Sequence, residues 1–256
     1  KIDFYLVAAV SVAIILGIGI LIYFFQHKFF FHPEKLTPDF KFAYENLDAE
    51  EKTVETEPGA KINYLQFHVP EPKGVVIYLK GNTKSIKGWG KFAIDFTRLN
   101  YEVIMMDYRG FGKSTGDVKN EKQLLDDVQI GYDYLKKKYS ENQIVILGYS
   151  IGTGPSAYLA SKNHPKNLIL VSPYYSFKTL SKNKVPFVPS FILKYPLETN
   201  KFLQNINLPI YIFHGNEDSV IPIENSRKLT KELNKPTISF TEIQNIGHNG
   251  ILKNYY

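Results

Sequence analysis

The chain has 256 residues, a formal charge of +6 and no cysteine. That length suits one large domain with a deep core, and the missing thiols exclude a disulfide framework and a cysteine nucleophile. No Lys- or Arg-rich run is long enough for a nucleic-acid arm, so nucleic acid is not an expected partner.

Residues 1–28 read as an N-terminal transmembrane anchor. Phe4 to Phe25 is a run of 22 residues without a charge, bracketed by Asp3 and Lys28. As a helix it is about 33 Å long, enough for a bilayer core. Tyr5, Tyr23, Phe24 and Phe25 stand near its ends, where aromatic rings favour the interface. The rival reading is a cleaved signal peptide. The apolar run is long for one, and no small-x-small cleavage site precedes Gln26-His27-Lys28. A single-pass membrane protein is therefore expected. Lys28, Lys35 and Lys41 follow the span, which by the positive-inside rule places the main domain in the cytoplasm. The chain begins at Lys1 rather than Met, so residues ahead of it would change that count, and the side of the membrane stays open.

Residues 29–51 form a juxtamembrane segment, with Phe29 to Pro33 expected at the membrane surface or in a docking contact. Residues 52–256 read as the main domain. Residues 52–69 suggest two strands around Pro58-Gly59, with Leu65, Phe67 and Val69 alternating as in a half-buried strand. Strands at Val75–Leu79, Glu102–Met106, Ile144–Leu147, Leu168–Val171, Ile210–Phe213 and Thr237–Ile243 then alternate with helices. The helices are expected at Ile86–Leu99, Glu121–Tyr139, Ile151–Lys162 and Glu224–Leu233. Short apolar strands between amphipathic helices predict an α/β fold, a mainly parallel sheet with helices on both faces. Residues 178–208 break the rhythm with Pro186, Pro189 and Pro196 among large apolar residues. They read as a short lid insertion, with Phe187, Phe191, Ile192 and Tyr195 as candidate substrate contacts, since pocket linings are mostly apolar.

The chemistry is concentrated at strand ends. Gly148-Tyr149-Ser150-Ile151-Gly152 follows the apolar run Ile144–Leu147 and precedes a helix. A serine on a sharp strand-to-helix turn points away from the backbone, where it can attack a carbonyl. It needs a base, and the base needs an orienting acid. Asp218 follows the strand ending at Phe213, and His248 follows the last strand. In a parallel sheet these ends meet at one edge. His27 and His32 are juxtamembrane, and His68 and His164 do not follow core strands. His214 precedes the acid and is expected to pack or hydrogen-bond locally. Glu217 is the nearest competitor to Asp218.

The order Ser–Asp–His resembles that of the alpha/beta-hydrolase superfamily over roughly residues 50–256. Within it the chain is similar to the small-lid, membrane-anchored serine hydrolases of the bud-emergence type. The matching stretches are Tyr78–Asn82, Asp107–Ser114, Gly148–Gly152, His214–Asp218 with Ile221-Pro222, and Gly247–Asn249. The resemblance implies Ser150 as nucleophile, His248 as base and Asp218 as acid. It also implies an oxyanion hole from the backbone N–H groups of Asn82 and Ile151. The implied reaction is cleavage of an ester or thioester through an acyl-enzyme, on a small-molecule or lipid-like acyl substrate. Most relatives carry His-Gly where this chain has Lys80-Gly81. Lys80, Lys84, Lys87 and Lys91 are expected either to make the site mouth cationic or to form a solvated helix face. An acyltransferase would use the same residues, and a non-catalytic membrane scaffold would keep the fold alone.

Other motifs fail. Gly112-Lys113-Ser114 resembles a P-loop end, but the first glycine would fall at Asp107. Gly152–Ala157 fits a dinucleotide fingerprint, but no acid ends the next strand at Val171-Ser172. No cofactor is expected, and no cluster has metal-ligand spacing.

Overall fold

The computed structural model describes residues 4–57, 59–184, 189 and 192–252. It begins with α1 (Phe4–Phe30), which by length and composition fits a membrane span or a signal sequence. Its apolar side chains are exposed from Phe4 through Leu21.

β1 (Asp48–Glu57) and β2 (Ala60–His68) form an antiparallel hairpin. β1 starts four residues ahead of the expected domain boundary at 52. The segment before it is not a separate surface strip. Phe31 is buried against Phe111 and Tyr195. His32 N–H donates to Asn82, Leu36 N–H to Gly112, and Gly112 N–H to Glu34. Of the two expectations for Phe29–Pro33, membrane surface or docking contact, the second describes Phe30 and Phe31, whose rings pack on the domain.

β3 (Val75–Leu79), β4 (Glu102–Met106), β5 (Ile144–Tyr149), β6 (Asn167–Val171), β7 (Ile210–Gly215) and β8 (Ile238–Ile243) complete the sheet. The strand order is β1-β2-β4-β3-β5-β6-β7-β8, antiparallel through β2–β4 and parallel from β4 onward. β3, β4 and β5 are buried at every position, because helices cover both faces of a parallel sheet. One face packs on α4 (Glu121–Lys136) and α5 (Thr153–Lys162) through Leu124, Val128, Leu135, Ala157 and Leu159. The other packs on Ile86, Trp89 and Ala93. α8 (Glu224–Leu233) lies between β7 and β8 in the chain.

The single helix expected at Ile86–Leu99 is broken into α2 (Ile86–Trp89), a 3-10 turn at Gly90–Ala93, and α3 (Ile94–Thr97). Gly90 explains the break. A Cβ there would lie 2.4 Å from the Tyr44 ring, so a helix-weakening glycine is retained for the close approach. In the insertion, α6 (Phe177–Lys184) and α7 (Thr199–Leu203) flank residues that include the candidate contacts.

Candidate active site

The C-terminal ends of β3, β5, β7 and β8 meet at one edge, with β5 flanked by β3 and β6. Ser150 follows β5 with φ at +54°. That left-handed value is uncommon for a residue with a side chain and costs strain. Its neighbours permit the bend. A Cβ on Gly148 would lie 2.5 Å from Ser156 Oγ, and one on Gly152 would lie 2.2 Å from the Leu79 carbonyl oxygen. The turn is thus pressed against the end of β3, and only hydrogen fits at those two positions.

His248 Nε2 lies 3.1 Å from Ser150 Oγ, and His248 Nδ1 lies 2.7 Å from Asp218 Oδ2. A ring nitrogen facing a carboxylate carries the proton, which leaves the Nε2 lone pair on the serine hydroxyl. Asp218 Oδ1 accepts the Val220 and Ile221 N–H groups at 2.9 and 2.8 Å. Burial pushes the Asp218 carboxyl up, but hydrogen bonds from His214, His248 and the Ile221 amide outweigh it and hold the group well below the usual carboxylate range. Asp218 is therefore an anion throughout the neutral range. An imidazole so oriented can take the serine proton, and the carboxylate stabilises the cation that results.

Two residues outside the predicted set support this chain of bonds. Buried His214 directs Nε2 at the Ile221 carbonyl (2.8 Å), 3.3 Å from Asp218 Oδ2, while Nδ1 meets Ser226 Oγ at 2.6 Å. It braces the acid loop, in line with the local role expected of it. Tyr149 donates its hydroxyl to the His248 carbonyl, and its ring lies 5.5 Å from the imidazole. Its place between Gly148 and Ser150 gave no sequence signal for that role. Among the described residues it is Asp218, and not its competitor Glu217, that hydrogen-bonds to His248.

Ser150, Ile151 and Asn82 line one cavity of about 440 Å³. Its apolar wall comes from Tyr174 and Phe177 beyond β6, Leu180 on α6, Ile221, and Ile22 and Phe30 on α1. The candidate substrate contacts are placed elsewhere or not described. Tyr195 is 1% exposed, with its hydroxyl on the Val118 carbonyl and its ring behind Phe30. It belongs to the core and is corrected as a lining residue. Ile192 is likewise not in the lining; its carbonyl accepts Gln26 Nε2 at 3.1 Å. Phe187 and Phe191 lie outside the described residues. Tyr174 and Phe177 were legible by the rule that ligands bind beyond strand C-termini, whereas nothing in the sequence marked α1 as a wall.

Of the two expectations for the lysines, a cationic mouth or a solvated face, the second holds for Lys84, Lys87 and Lys91 and neither for Lys80. Lys80 is fully buried, 3.6 Å from Asp107 and 3.9 Å from the centre of the Phe111 ring. Lys84, Lys87 and Lys91 are exposed and outside the lining, which among the described residues holds no Lys, Arg, Asp or Glu. Arg109 pins a loop: its Nε and Nη2 reach the two Asp127 carboxylate oxygens at 2.7 and 2.9 Å. Among the described residues, no group of three or more His, Cys, Asp or Glu is placed to hold a metal.

Comparison with known proteins gives the same fold. Residues 70–199 match the family model described as serine aminopeptidase, S33. A protein of Acanthamoeba polyphaga mimivirus described as an alpha/beta hydrolase, L404, is 30% identical over 226 residues, covering 83% of each chain. The lysophosphatidylserine lipase ABHD12 of Rattus norvegicus is 28% identical over 194 residues, 66% of this chain and 48% of that one. The chain thus spans about half the length of that lipase. Among solved structures, the Pyrococcus furiosus esterase Pf2001 superposes with a TM-score of 0.70 at 16% identity, over 88% of this chain and 92% of that one.

Proposed function

This chain belongs to the serine aminopeptidase S33 family of alpha/beta hydrolases, and from that premise we propose that it is a membrane-anchored serine hydrolase. It cleaves ester or thioester bonds of lipid-like or acylated substrates. The observation that carries this reading is the unbroken path of hydrogen bonds from Ser150 Oγ through His248 to Asp218.

Ser150 attacks the acyl carbonyl while His248 Nε2 takes its proton. Asp218 holds the imidazole by Nδ1 and stabilises its positive charge. The Asn82 and Ile151 amides receive the oxyanion, a role supported by their places beside Ser150 in the cavity. His248 returns the proton to the leaving group, then takes one from a water that adds to the acyl carbon, and passes it to Ser150 Oγ as the acyl–Oγ bond breaks and the acid departs. A largely apolar lining without Lys, Arg, Asp or Glu among the described residues favours an acyl chain over an ionic substrate. The lipase among the relatives and the apolar α1 support a lipid-like substrate and a bilayer location. The likeness to the bud-emergence type is part of the same proposal and rests on the five sequence stretches alone.

Hydrolysis of p-nitrophenyl esters by the full chain, and by its Ser150→Ala variant, tests the reading. A loss of at least about 10³-fold is expected. Ester hydrolysis at the unaltered rate in Ser150→Ala would exclude it.

A further inference from the structure

The cavity beside Ser150 is not closed by the hydrolase core alone. Ile22, Gln26 and Phe30 also line it, and their four-residue spacing puts them on one face of α1. From Ile22 to Phe30 that face rises about 12 Å. Ile22 belongs to the apolar run, among residues exposed on the other sides of the helix: Leu21 is 58% and Phe24 60% exposed.

Two sets of contacts seat this face. Gln26 is 2% exposed, an unusual burial for an amide on an apolar helix. Its Nε2 donates to the Ile192 carbonyl at 3.1 Å and its Oε1 accepts the Lys194 N–H at 2.8 Å. Phe30 packs edge-on against Phe177 with centroids 4.7 Å apart, and its carbonyl accepts Asn82 Nδ2 at 2.9 Å. The Lys194 ammonium stands 4.2 Å from the centre of the Tyr23 ring. A long cation above an aromatic ring at the end of an apolar helix is the arrangement found at a membrane–water interface. That level lies between Ile22 and Lys28, so the cavity extends from Ser150 toward the hydrocarbon side of it.

We propose that the last two turns of α1 are a wall of the acyl-binding site, and that a long acyl chain reaches Ser150 along this helix from the bilayer rather than from bulk water. The proposal rests on Ser150 as nucleophile and on α1 as a bilayer span. Ile22 then sets chain length. A larger side chain there blocks the far end of the cavity, and a smaller one lengthens it.

The test uses the full chain in phosphatidylcholine vesicles, with p-nitrophenyl laurate and butyrate as substrates. The laurate-to-butyrate ratio of kcat/KM is expected to fall about tenfold in Ile22→Trp, a loss of the order known for one or two methylenes in a hydrophobic pocket, and to rise in Ile22→Ala. Ile14→Trp, on a residue that is 57% exposed and away from the cavity, is expected to keep the unaltered ratio. Ser150-dependent hydrolysis with the same ratio in all four proteins overturns the α1 wall and leaves the hydrolase reading standing. Absence of Ser150-dependent hydrolysis of either ester in the unaltered chain overturns both.

Discussion

The Lys80 ammonium lies 3.6 Å from the Asp107 carboxylate with both side chains fully buried. Lys80 also donates to the Lys84 carbonyl at 3.1 Å, and Asp107 accepts the Ile86 N–H at 2.9 Å. The pair therefore fastens both ends of the loop that carries Asn82. Burial pulls the Lys80 ammonium down and pushes the Asp107 carboxyl up, each against the attraction of the other.

Removing one member leaves the other buried and unpaired. Lys80→Met is expected to lower stability by about 3–5 kcal/mol at pH 8. The sign of its pH dependence follows from Asp107. A raised carboxyl contributes stability at acid pH that is lost as pH rises through its folded value. The deficit of Lys80→Met against the unaltered protein should shrink from pH 8 to pH 5, because Asp107, raised by burial and without its cation, is the group that takes up the proton. Melting in detergent at the two pH values measures it, and an equal deficit at both would show that Asp107 is not the group left exposed to the change.

Glu102 predicts the acid limb. Burial pushes its carboxyl up, but hydrogen bonds from Tyr139, His68, Gln66 and Lys138 outweigh it and bring the group to about 2, against an ordinary value of 4.5. A lowered carboxyl contributes stability above its ordinary value and loses it as pH falls through the folded one. Glu102→Gln should cost roughly 2 kcal/mol at pH 7 and flatten the melting curve between pH 4.5 and 2. A variant as acid-sensitive as the unaltered protein would remove Glu102 from this role.

Asn82→Ala keeps the backbone N–H proposed for the oxyanion hole and deletes the bond from Asn82 Nδ2 to Phe30. One net hydrogen bond is worth about 1 kcal/mol, so kcat should fall roughly three- to tenfold. A loss beyond about 10³-fold would make the side chain itself the oxyanion donor.

Gly152→Ala places a methyl 2.2 Å from the Leu79 carbonyl oxygen and 2.8 Å from that of Lys80. Backbone on both sides cannot yield as a side chain can. The variant is expected to lose about 1–3 kcal/mol as an overpacked site and to lose activity at temperatures where it remains folded. Unchanged melting and turnover would mean that the turn after Ser150 is free to move.

Much of the fold was legible because its signals are local. The bounds predicted for Glu102–Met106 and Glu224–Leu233 agree with β4 and α8, since an apolar run between turns and an amphipathic period each carry their own limits. That Ser150, Asp218 and His248 come together was legible because a parallel sheet sends its strand C-termini to one edge. What was not legible depends on contacts distant in sequence. The broken helix at Ile86–Thr97 follows from Tyr44, more than forty residues earlier. Lys80 reads as a surface cation until Asp107, Tyr108 and Phe111 close over it. The insertion predicted as cavity wall does supply Leu180 and Ser181, but Tyr195 turns inward and α1 takes part of the place expected for it. A helix that reads as a tether by composition gives no sign of which face meets the domain.

The claim on which the rest depends is that the Ser150 hydroxyl is activated by His248, and covalent labelling tests it most directly. Protein treated with an alkyl fluorophosphonate should carry one phosphonyl adduct on the peptide containing Ser150, as peptide mass spectrometry would show, and His248→Ala should abolish or greatly slow its formation. An unlabelled Ser150 in folded protein, or labelling as fast without His248, would contradict it.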